Sequence, residues 1–284
     1  MTLVEVLRRT ETWFRERGLP TPRLDAELLL GHVLGLPRMQ LYLQYDRPLD
    51  EAELSRLRPL VQQRGQRQPL AYLTGTVGFH NIELSVRPGV LVPRPDTETL
   101  VEAALQLMRP PDGEPIFVAD VGAGSGAVGL AIAAAREDTR VFQTDVAPIP
   151  LEVTRENVRR LGLEKRVAVL QGTLLTPIPL DRTIDWVVSN PPYIPSAVIE
   201  TLQPEVAHHE PRVALDGGRD GLTIVRALIR STRERARKGL LMEIGHDQSN
   251  EVARLFEQGG FVDISRHKDL GGHERVISGR IPGV

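Results

Sequence analysis

"IFVADVGAGSGAVGLAIAAA", residues 116–135, joins two apolar runs through a turn that contains three glycines. The first run is rich in Ile, Val and Phe, which favours a buried β-strand. The second run is rich in Ala and follows the turn directly, as expected of a buried helix. A strand that turns sharply into a helix through glycine is typical of the first half of a βαβ unit. The stretch therefore predicts an α/β domain with a parallel sheet.

The chain after residue 116 continues this alternation of strands and helices. We predict strands at 116–121, 140–146, 166–170, 184–189, 239–245, 261–267 and 275–280. We predict helices near 126–136, 149–161, 221–237 and 247–258. The last two strands are separated only by KDLGGHE, so they should pair antiparallel at one edge. The pattern as a whole predicts a doubly wound, Rossmann-like sheet of seven strands.

The first 75 residues show helical patterns and no strand pattern. Leu3, Leu7 and Phe14 fall on one face of a first helix, and Asp50 with Glu53 fits a capping box that opens a later one. We predict a helical bundle domain at 1–75, a β-hairpin linker at 76–92 and the α/β domain at 93–284. The helical domain is expected either to stabilise the chain or to recognise a substrate.

The composition of the 284 residues excludes several classes of protein. There is no cysteine, which rules out disulfides, thiolate zinc sites and cysteine nucleophiles. The formal net charge is -2, and residues 1–75 carry 11 Arg against 9 acidic residues, so neither part has the basic character of a nucleic-acid-binding protein. No apolar run approaches the roughly 18 residues of a membrane span. The N-terminal helix is charged throughout, unlike a signal peptide, so we expect a cytoplasmic protein.

The glycine turn is compatible with several interpretations. A P-loop is disfavoured because no Gly-Lys-Ser/Thr follows. A dinucleotide site is possible, since Gly122, Gly124 and Ala127 satisfy G-x-G-x-x-G/A. An S-adenosylmethionine site is favoured by the pattern D-x-G-x-G-x-G, which begins at Asp120, and Asp145 at the end of the second strand could accept both ribose hydroxyls of a nucleoside. A tight structural turn without a ligand is the remaining alternative.

The fourth predicted strand runs into a stiff polar corner, SNPPYI, residues 189–194. Ligands of open α/β sheets bind beyond the carboxyl ends of the strands, so Asn190 should meet the glycine turn and Asp145 in one crevice. The prolines restrict the backbone and hold the Asn190 side chain and the Pro191 carbonyl as two acceptors in a fixed relation. Two such acceptors suit a planar NH₂ group, and Tyr193 could lay its ring on the attached π-system. The corner predicts methyl transfer to a conjugated amino nitrogen, with an Asn-capped Pro-rich turn as the structural alternative.

The two motifs together resemble the signature of amino-group methyltransferases that use S-adenosylmethionine. DVGAGSG with NPPY does not separate N6-adenine methyltransferases from protein-glutamine N5-methyltransferases. Four further stretches are similar to the PrmC/HemK family, and the resemblance covers nearly the whole chain: TPRLDAELLLGHVLGL, QPLAYLTG, VLVPRPDTETLVE and ERVISGR. A sister group that modifies a glutamine of a ribosomal protein shares NPPY and much of the layout.

The resemblance implies a class I S-adenosylmethionine-dependent methyltransferase domain preceded by the helical bundle. It implies methylation of the Gln in the Gly-Gly-Gln motif of class-1 peptide-chain release factors, with S-adenosylhomocysteine as product. Methylation of a ribosomal protein or of adenine in nucleic acid is the alternative. The helical domain would recognise the protein substrate, and we expect a monomer that contacts neither membrane nor nucleic acid.

The resemblance also implies roles for individual residues. The turn would contact the methionine end of the cofactor through Gly122, Ala123, Gly124, Ser125 and Gly126. Asp145 would bind the ribose, and Asn190 would lie beside the cofactor as well as the substrate. Thr173 and Leu174 stand where family members often have an acidic residue and an aromatic, so the adenine would be bound without the usual carboxylate.

The substrate amide would be held by the corner itself. Asn190 and the Pro191 carbonyl would be the catalytic acceptors, and Pro192 and Tyr193 would line the substrate site. Elsewhere, the adjacent His208 and His209 have no third ligand at helical spacing, so no metal site is predicted. The long Pro-rich stretch at 195–219 is expected either to close over the substrate or to be a surface excursion. Glu243 is expected to be structural.

Overall fold

The computed structural model describes residues 1–108 and 114–283, and the chain forms two compact units. The first unit comprises Met1–Thr76 and Gln203–His209, and the second comprises Val77–Leu202 and Glu210–Val284. Residues 109–113 and 284, which fall within the predicted α/β domain, lie outside the described residues. The assignment of residues 203–209 to the helical unit differs from the predicted boundaries, which placed this segment in the α/β domain.

The helices and strands follow one another along the chain as the sequence patterns indicate. The helices are α1 (Leu3–Glu16), α2 (Pro22–Leu34), α3 (Arg38–Leu43), α4 (Glu51–Gly65), α5 (Leu70–Thr74), α6 (Glu98–Leu107), α7 (Ala127–Ala135), α8 (Pro148–Arg160), α9 (Pro204–His209), α10 (Thr223–Arg235) and α11 (Ser249–Gln258). The strands are β1 (Thr76–Phe79), β2 (Ile82–Ser85), β3 (Ile116–Val121), β4 (Thr139–Asp145), β5 (Val167–Gln171), β6 (Trp186–Ser189), β7 (Gly239–Glu243), β8 (Val262–Lys268) and β9 (Glu274–Arg280). Among the helices of residues 1–108 and 114–283, none combines the length and the apolar character that a membrane span requires.

The helical unit is built around one hydrophobic core. Side chains of all five helices from α1 to α5 contribute to it, with Leu7, Phe14 and Leu29 fully buried. The predicted capping box is confirmed, because Asp50 accepts from the Glu53 backbone N–H while the Glu53 carboxylate accepts from the backbone of Asp50.

A buried ion cluster lies in the same unit and involves α9. Arg64 on α4 donates to Asp25 on α2 at 2.7 Å and to Glu205 on α9 at 3.0 Å, and Arg67 also donates to Glu205 at 2.7 Å. Arg64 and Asp25 are almost fully buried, so each charge depends on its partners for stabilisation. This cluster explains why residues 203–209 group with the helices rather than with the sheet.

The second unit contains a seven-stranded sheet in the order β5-β4-β3-β6-β7-β9-β8. The strands from β5 to β7 pair in parallel, and β9 runs antiparallel to both of its neighbours. The predicted sheet and its antiparallel edge are therefore confirmed. β1 and β2 form a separate two-stranded sheet. Strand β6 ends at Ser189, where the Pro191 and Pro192 that follow can offer no further N–H to a ladder.

Both faces of the sheet are buried. The neighbouring residues Val118 and Ala119 of β3 belong to different hydrophobic clusters, because successive side chains of a strand point to opposite faces. α6 and α7 contribute to one cluster, and α10 and α11 contribute to the other. The strand order reverses at β3, which lies between β4 and β6. The carboxyl ends of these three strands are where a doubly wound sheet binds its ligand.

Candidate active site

The glycine turn after β3 follows a left-handed path that favours glycine. Gly122, Gly124 and Gly126 have φ values of 71°, 60° and 88°. A Cβ at Gly122 or Gly124 would meet nothing within 4 Å, so this backbone is open to a ligand. A Cβ at Gly126 would lie 2.7 Å from both Gln143 Oε1 and Leu130 Cδ1. The first two glycines thus leave room in the cleft, whereas the third allows close packing at the start of α7.

Asp120 stabilises the turn by a hydrogen bond between β3 and α7. Its side chain is fully buried, and Oδ2 accepts from the Gly129 backbone N–H in α7 at 2.8 Å. Burial raises the pKa of Asp120 to about 7; the Gly129 hydrogen bond opposes this rise, and the charge of Asp145 adds to it. The acid that begins the D-x-G-x-G-x-G pattern therefore ties strand to helix and does not line the cleft.

Asp145 ends β4 and faces the turn. Its Oδ2 accepts from the Gly124 N–H at 3.0 Å, and its Oδ1 accepts from the Ala147 N–H at 3.0 Å. Each carboxylate oxygen has two lone-pair sites, so both keep capacity for a further donor. A pair of ribose hydroxyls is a donor set that this partly exposed carboxylate fits.

A single cleft brings most of the predicted site residues together, with about 1030 Å³ of empty space that is partly open to solvent. The predicted residues that line it are Gly122, Ala123, Gly124, Ser125, Asp145, Thr173, Leu174, Asn190 and Pro192. Gly126, Pro191 and Tyr193 are not among the lining residues. The expected convergence of the glycine turn, Asp145 and Asn190 is confirmed, whereas the binding role of each residue stays a prediction.

Several further residues of the cleft wall were not expected from the sequence. They are Gly89, Leu91, Pro93, Val146, Pro150, Pro211, Val213, Ala214 and Ile224. Three come from the segment before α6, and three come from the 195–219 stretch, which also contains α9 and two short 3-10 helices. That stretch therefore contributes part of the wall and is not only a surface excursion.

Thr173 and Leu174 are held against the end of β4. The Gly172 N–H donates to the Asp145 carbonyl at 2.9 Å, and the Thr144 hydroxyl donates to the Leu174 carbonyl at 2.8 Å. Leu174 has a φ of 52°, which is uncommon for a residue other than glycine. The segment supplies an apolar side chain and an exposed hydroxyl to the cleft, and no carboxylate.

The Asn-Pro-Pro-Tyr corner is anchored by residues distant in the chain. Asn190 donates through Nδ2 to Thr97 Oγ1 at 3.1 Å, and no donor to its Oδ1 is found in the described parts of the chain. The Tyr193 hydroxyl donates to Glu243 Oε1 at 3.0 Å, and Gln248 donates to the Tyr193 carbonyl at 2.8 Å. Burial, together with the charge and hydrogen bond of Glu243, raises the pKa of Tyr193 above its usual range, so the phenol stays protonated.

Glu243 is a buried carboxylate at the end of β7, and Thr97 directly precedes α6. Burial raises the pKa of Glu243 to about 7, against the nearby Thr97 hydroxyl, the hydrogen bond from Tyr193 and the charge of Arg275, which lower it. The sequence predicts only a structural role for Glu243. No local pattern links either residue to Asn190, because the sheet and α6 bring them together.

The histidine pair lies on α9, with His208 exposed and His209 beside the Gln66 carbonyl at 3.4 Å. Within residues 1–108 and 114–283 no group of three or more His, Cys, Asp or Glu side chains could hold a metal ion.

The sheet order, the open glycine turn and the carboxylate at the end of β4 together define an S-adenosylmethionine-dependent methyltransferase. The cleft fits the cofactor, since it combines exposed backbone, free carboxylate lone pairs and apolar walls. A family model described as the PrmC N-terminal domain matches residues 5–75, and one described as the methyltransferase small domain matches residues 100–226.

Individual relatives agree over the full length. A release factor glutamine methyltransferase from Geobacter sulfurreducens is 40% identical over 99% of this chain and 97% of the relative. Another from Moorella thermoacetica is 41% identical over 98% of each chain. A crystal structure of a methyltransferase from Pyrococcus furiosus, 16% identical, has a TM-score of 0.52 and covers 69% of this chain and 87% of its own, which supports the fold alone. The chain belongs to the release factor glutamine methyltransferase family.

Proposed function

We propose that this enzyme transfers a methyl group from S-adenosylmethionine to the side-chain amide nitrogen, N5, of the glutamine in the Gly-Gly-Gln motif of class-1 peptide-chain release factors. Membership of the family supports the substrate. The observation that carries the chemistry is the state of Asn190, which lines the cleft: its Nδ2 donates to Thr97, and among the described residues no donor to its Oδ1 is found. A free carbonyl oxygen is the group that an N–H of a substrate amide requires.

The corner would act by holding the substrate NH₂ through both of its N–H bonds. Asn190 Oδ1 would accept one, and the Pro191 carbonyl would accept the other. An amide nitrogen is a weak nucleophile because its lone pair is delocalised, and it gains positive charge as it forms a bond to carbon. Two fixed acceptors stabilise that developing charge, and their fixed positions also align the nitrogen for in-line attack.

No strong base is needed before attack. The cofactor, held by the glycine turn and Asp145, would supply a methyl group on a positively charged sulfur. The sulfur–carbon bond would break as the nitrogen–carbon bond forms, which leaves S-adenosylhomocysteine with a neutral sulfur. The extra proton of the methylated nitrogen becomes acidic and passes to water. Tyr193 would hold the plane of the amide from one side, since the Glu243 hydrogen bond fixes the position of its ring.

We further propose that the helical unit recognises the protein substrate. Its α2 and α3 expose large apolar side chains, among them Met39 at 74% and Leu43 at 84%. Exposed apolar residues that lie close together often mark a protein-binding surface. Leu43→Glu should raise KM for the release factor and leave cofactor affinity unchanged. Leu180→Glu, at an equally exposed position of the other unit, is the matched control and should change neither value.

The first experiment supplies methyl-labelled S-adenosylmethionine together with a full-length class-1 release factor, a ribosomal-protein candidate or ribosomal RNA. The proposal expects label on the release factor, and none when the motif Gln is replaced by Ala. Label on the ribosomal protein or on adenine would refute the assigned substrate while keeping the corner as the NH₂ site. We also propose that the enzyme is a cytoplasmic monomer. Light scattering at assay concentration measures the molar mass and so tests the oligomeric state.

Asn190→Ala should lower kcat by about 10²–10³, as for the loss of one charge-stabilising contact. Calorimetry should show the cofactor still bound. Asn250→Ala, at an exposed position on α11, is the matched control and should retain full activity. A wild-type rate in the Asn190 variant would show that the amide is not held in this way.

A further inference from the structure

A buried carboxylate lies behind the Asn-Pro-Pro-Tyr corner. Glu243 is 2% exposed, and its Oε1 accepts from the Tyr193 hydroxyl at 3.0 Å. Its Oε2 is buried and, among the described residues, accepts no hydrogen bond of good geometry. The Thr97 hydroxyl is nevertheless close enough to favour the ionised form of Glu243. Oε2 therefore keeps its lone pairs free within the described residues, and the Thr97 hydroxyl is a donor close to this carboxylate.

Thr97 occupies the N-cap position of α6 but does not cap it. Thr97 has helical φ and ψ because it ends a short 3-10 helix, Pro95–Thr97, so its hydroxyl is not placed as in an ordinary N-cap. Thr97 makes no side-chain cap bond, is 3% exposed, and accepts from Asn190 Nδ2 at 3.1 Å instead. The hydroxyl therefore bonds to a residue of the corner and not to the backbone of α6. It lies between the amide of Asn190 on one side and the carboxylate of Glu243 on the other.

The direction of these hydrogen bonds follows from which side-chain atoms can donate and which can only accept. An ionised carboxylate can only accept, so the hydroxyl protons of Thr97 and Tyr193 turn toward Glu243. Thr97 Oγ1 then offers only lone pairs to Asn190, and the amide must present Nδ2 to it. With Nδ2 committed, Oδ1 is the atom left for the substrate. A flipped amide would instead point two donors at a substrate NH₂, which also donates.

We propose that Thr97 and Glu243 are positioning residues, which hold the Asn190 side chain in the one orientation that presents Oδ1 to the substrate nitrogen. This inference rests on the proposed function only for the identity of the substrate nitrogen. The orientation of the Asn190 amide is a property of the protein alone, and it can be measured without any substrate.

The charge state of Glu243 controls this arrangement. Burial raises its pKa to about 7; the nearby Thr97 hydroxyl, the hydrogen bond from Tyr193 and the charge of Arg275 on β9 lower it, and Asp96 before α6 raises it. Arg275 also forms an ion pair with Asp96, with Arg275 Nη2 at 3.0 Å from Asp96 Oδ2. Protonation of Glu243 would make it a donor to Thr97, and Thr97 could then donate to Asn190 Oδ1. The orientation should therefore be lost as the pH falls below about 7.

The kinetic test removes the hydroxyl without changing the shape of the side chain. Thr97→Val should lower kcat by about 10- to 100-fold, the effect of one lost buried hydrogen bond, with KM for the cofactor unchanged. Thr97→Ser keeps the hydroxyl and should restore most of the rate. Glu243→Gln should lower kcat and abolish the acid limb of the pH–rate profile. Thr232→Val, at another buried threonine whose hydroxyl has no partner in the described residues, is the matched control and should leave kcat unchanged.

A spectroscopic test reads the Asn190 amide directly. The chain has four asparagines, so selective ¹⁵N-asparagine labelling gives four side-chain NH₂ pairs, and Asn190→Asp identifies one of them. In the wild type this pair should shift with pH around a midpoint near the pKa of Glu243. The shift should vanish in Thr97→Val and in Glu243→Gln and persist in Thr97→Ser.

The outcomes separate the inference from the proposed function. If the wild type methylates the release factor while Thr97→Val keeps both the wild-type kcat and the pH-dependent Asn190 signal, the positioning role is wrong. If the wild type leaves the release factor unmethylated while the Asn190 signal behaves as described, the substrate assignment fails and the positioning role holds.

Discussion

We expect that two glycines of the same turn can be substituted with different effects, one on cofactor affinity and the other on the free energy of unfolding. Gly124→Ala and Gly126→Ala each add one methyl group to a residue of positive φ. At Gly124 the methyl would enter open space on the cleft side, within 4 Å of no other group. At Gly126 it would lie 2.7 Å from Leu130 Cδ1 and from Gln143 Oε1. The same chemical change is thus made once toward the ligand and once toward the core.

The expected magnitudes follow from these surroundings. A left-handed conformation costs Ala about 1–2 kcal/mol, which both variants share. Gly126→Ala adds an overpacking cost of about 1–3 kcal/mol, because Leu130 and Gln143 must move. Its total, about 2–5 kcal/mol, is a large part of the stability of a typical domain. Gly124→Ala should keep most of its stability but weaken cofactor binding by about tenfold or more, since the methyl occupies the path to the backbone.

Denaturation and calorimetry distinguish the two effects. The chain has two tryptophans, Trp13 in the helical unit and Trp186 on β6. In a Trp13→Phe background the fluorescence of Trp186 reports urea unfolding of the sheet unit, and titration calorimetry gives the cofactor affinity of folded protein. Wild-type affinity in Gly124→Ala would refute a backbone approach at the turn. Wild-type stability in Gly126→Ala would refute the packing argument.

Three further predictions concern other charged groups. Asp145→Ala should weaken cofactor binding by about 10- to 100-fold, the effect of lost hydrogen bonds to a charged group, and unchanged affinity in calorimetry would remove its ribose role. The pKa of Glu243 is about 7 in the folded protein and ordinarily 4.5, so the folded state holds the proton more tightly than the unfolded chain. The resulting contribution to the free energy of unfolding is fully present below about pH 4.5 and is lost as the pH rises through 7. Glu243→Gln should therefore gain up to about 3 kcal/mol relative to wild type between pH 5 and pH 8, and parallel stability curves would contradict this. Glu205→Ala removes a buried partner of Arg64 and should destabilise the helical unit by about 3 kcal/mol. Glu51→Gln, in the exposed ion pair with Arg58, is the control and should change stability by less than about 1 kcal/mol. Equal effects of the two changes would refute a buried cluster.

Local sequence was enough to predict the elements that carry the cofactor site. Strand β3, the glycine turn and α7 are adjacent in the chain, and the positive φ of Gly122 and Gly124 is a property that glycine alone adopts readily. Asp145 was predicted in place because it ends the next strand, and parallel strands bring their carboxyl ends to one edge of the sheet. The parallel character of the sheet followed from alternating strands and helices, and its antiparallel edge followed from the short link before β9, whereas the order of the strands is known only from the structure.

The βα turn, the parallel sheet and the stiff corner after β6 can therefore be predicted from the sequence, because each depends on neighbours within a few residues or on the alternation of strands and helices. Tertiary structure alone decided what surrounds the corner. Asn190 meets Thr97 across 93 residues of chain, and Tyr193 meets Glu243 across 50. Glu205 likewise joins the helical unit through Arg64, 141 residues away. Such pairs carry no periodicity or spacing that a sequence could reveal, since a hydrogen bond between distant residues exists only after packing has placed donor and acceptor within about 3 Å.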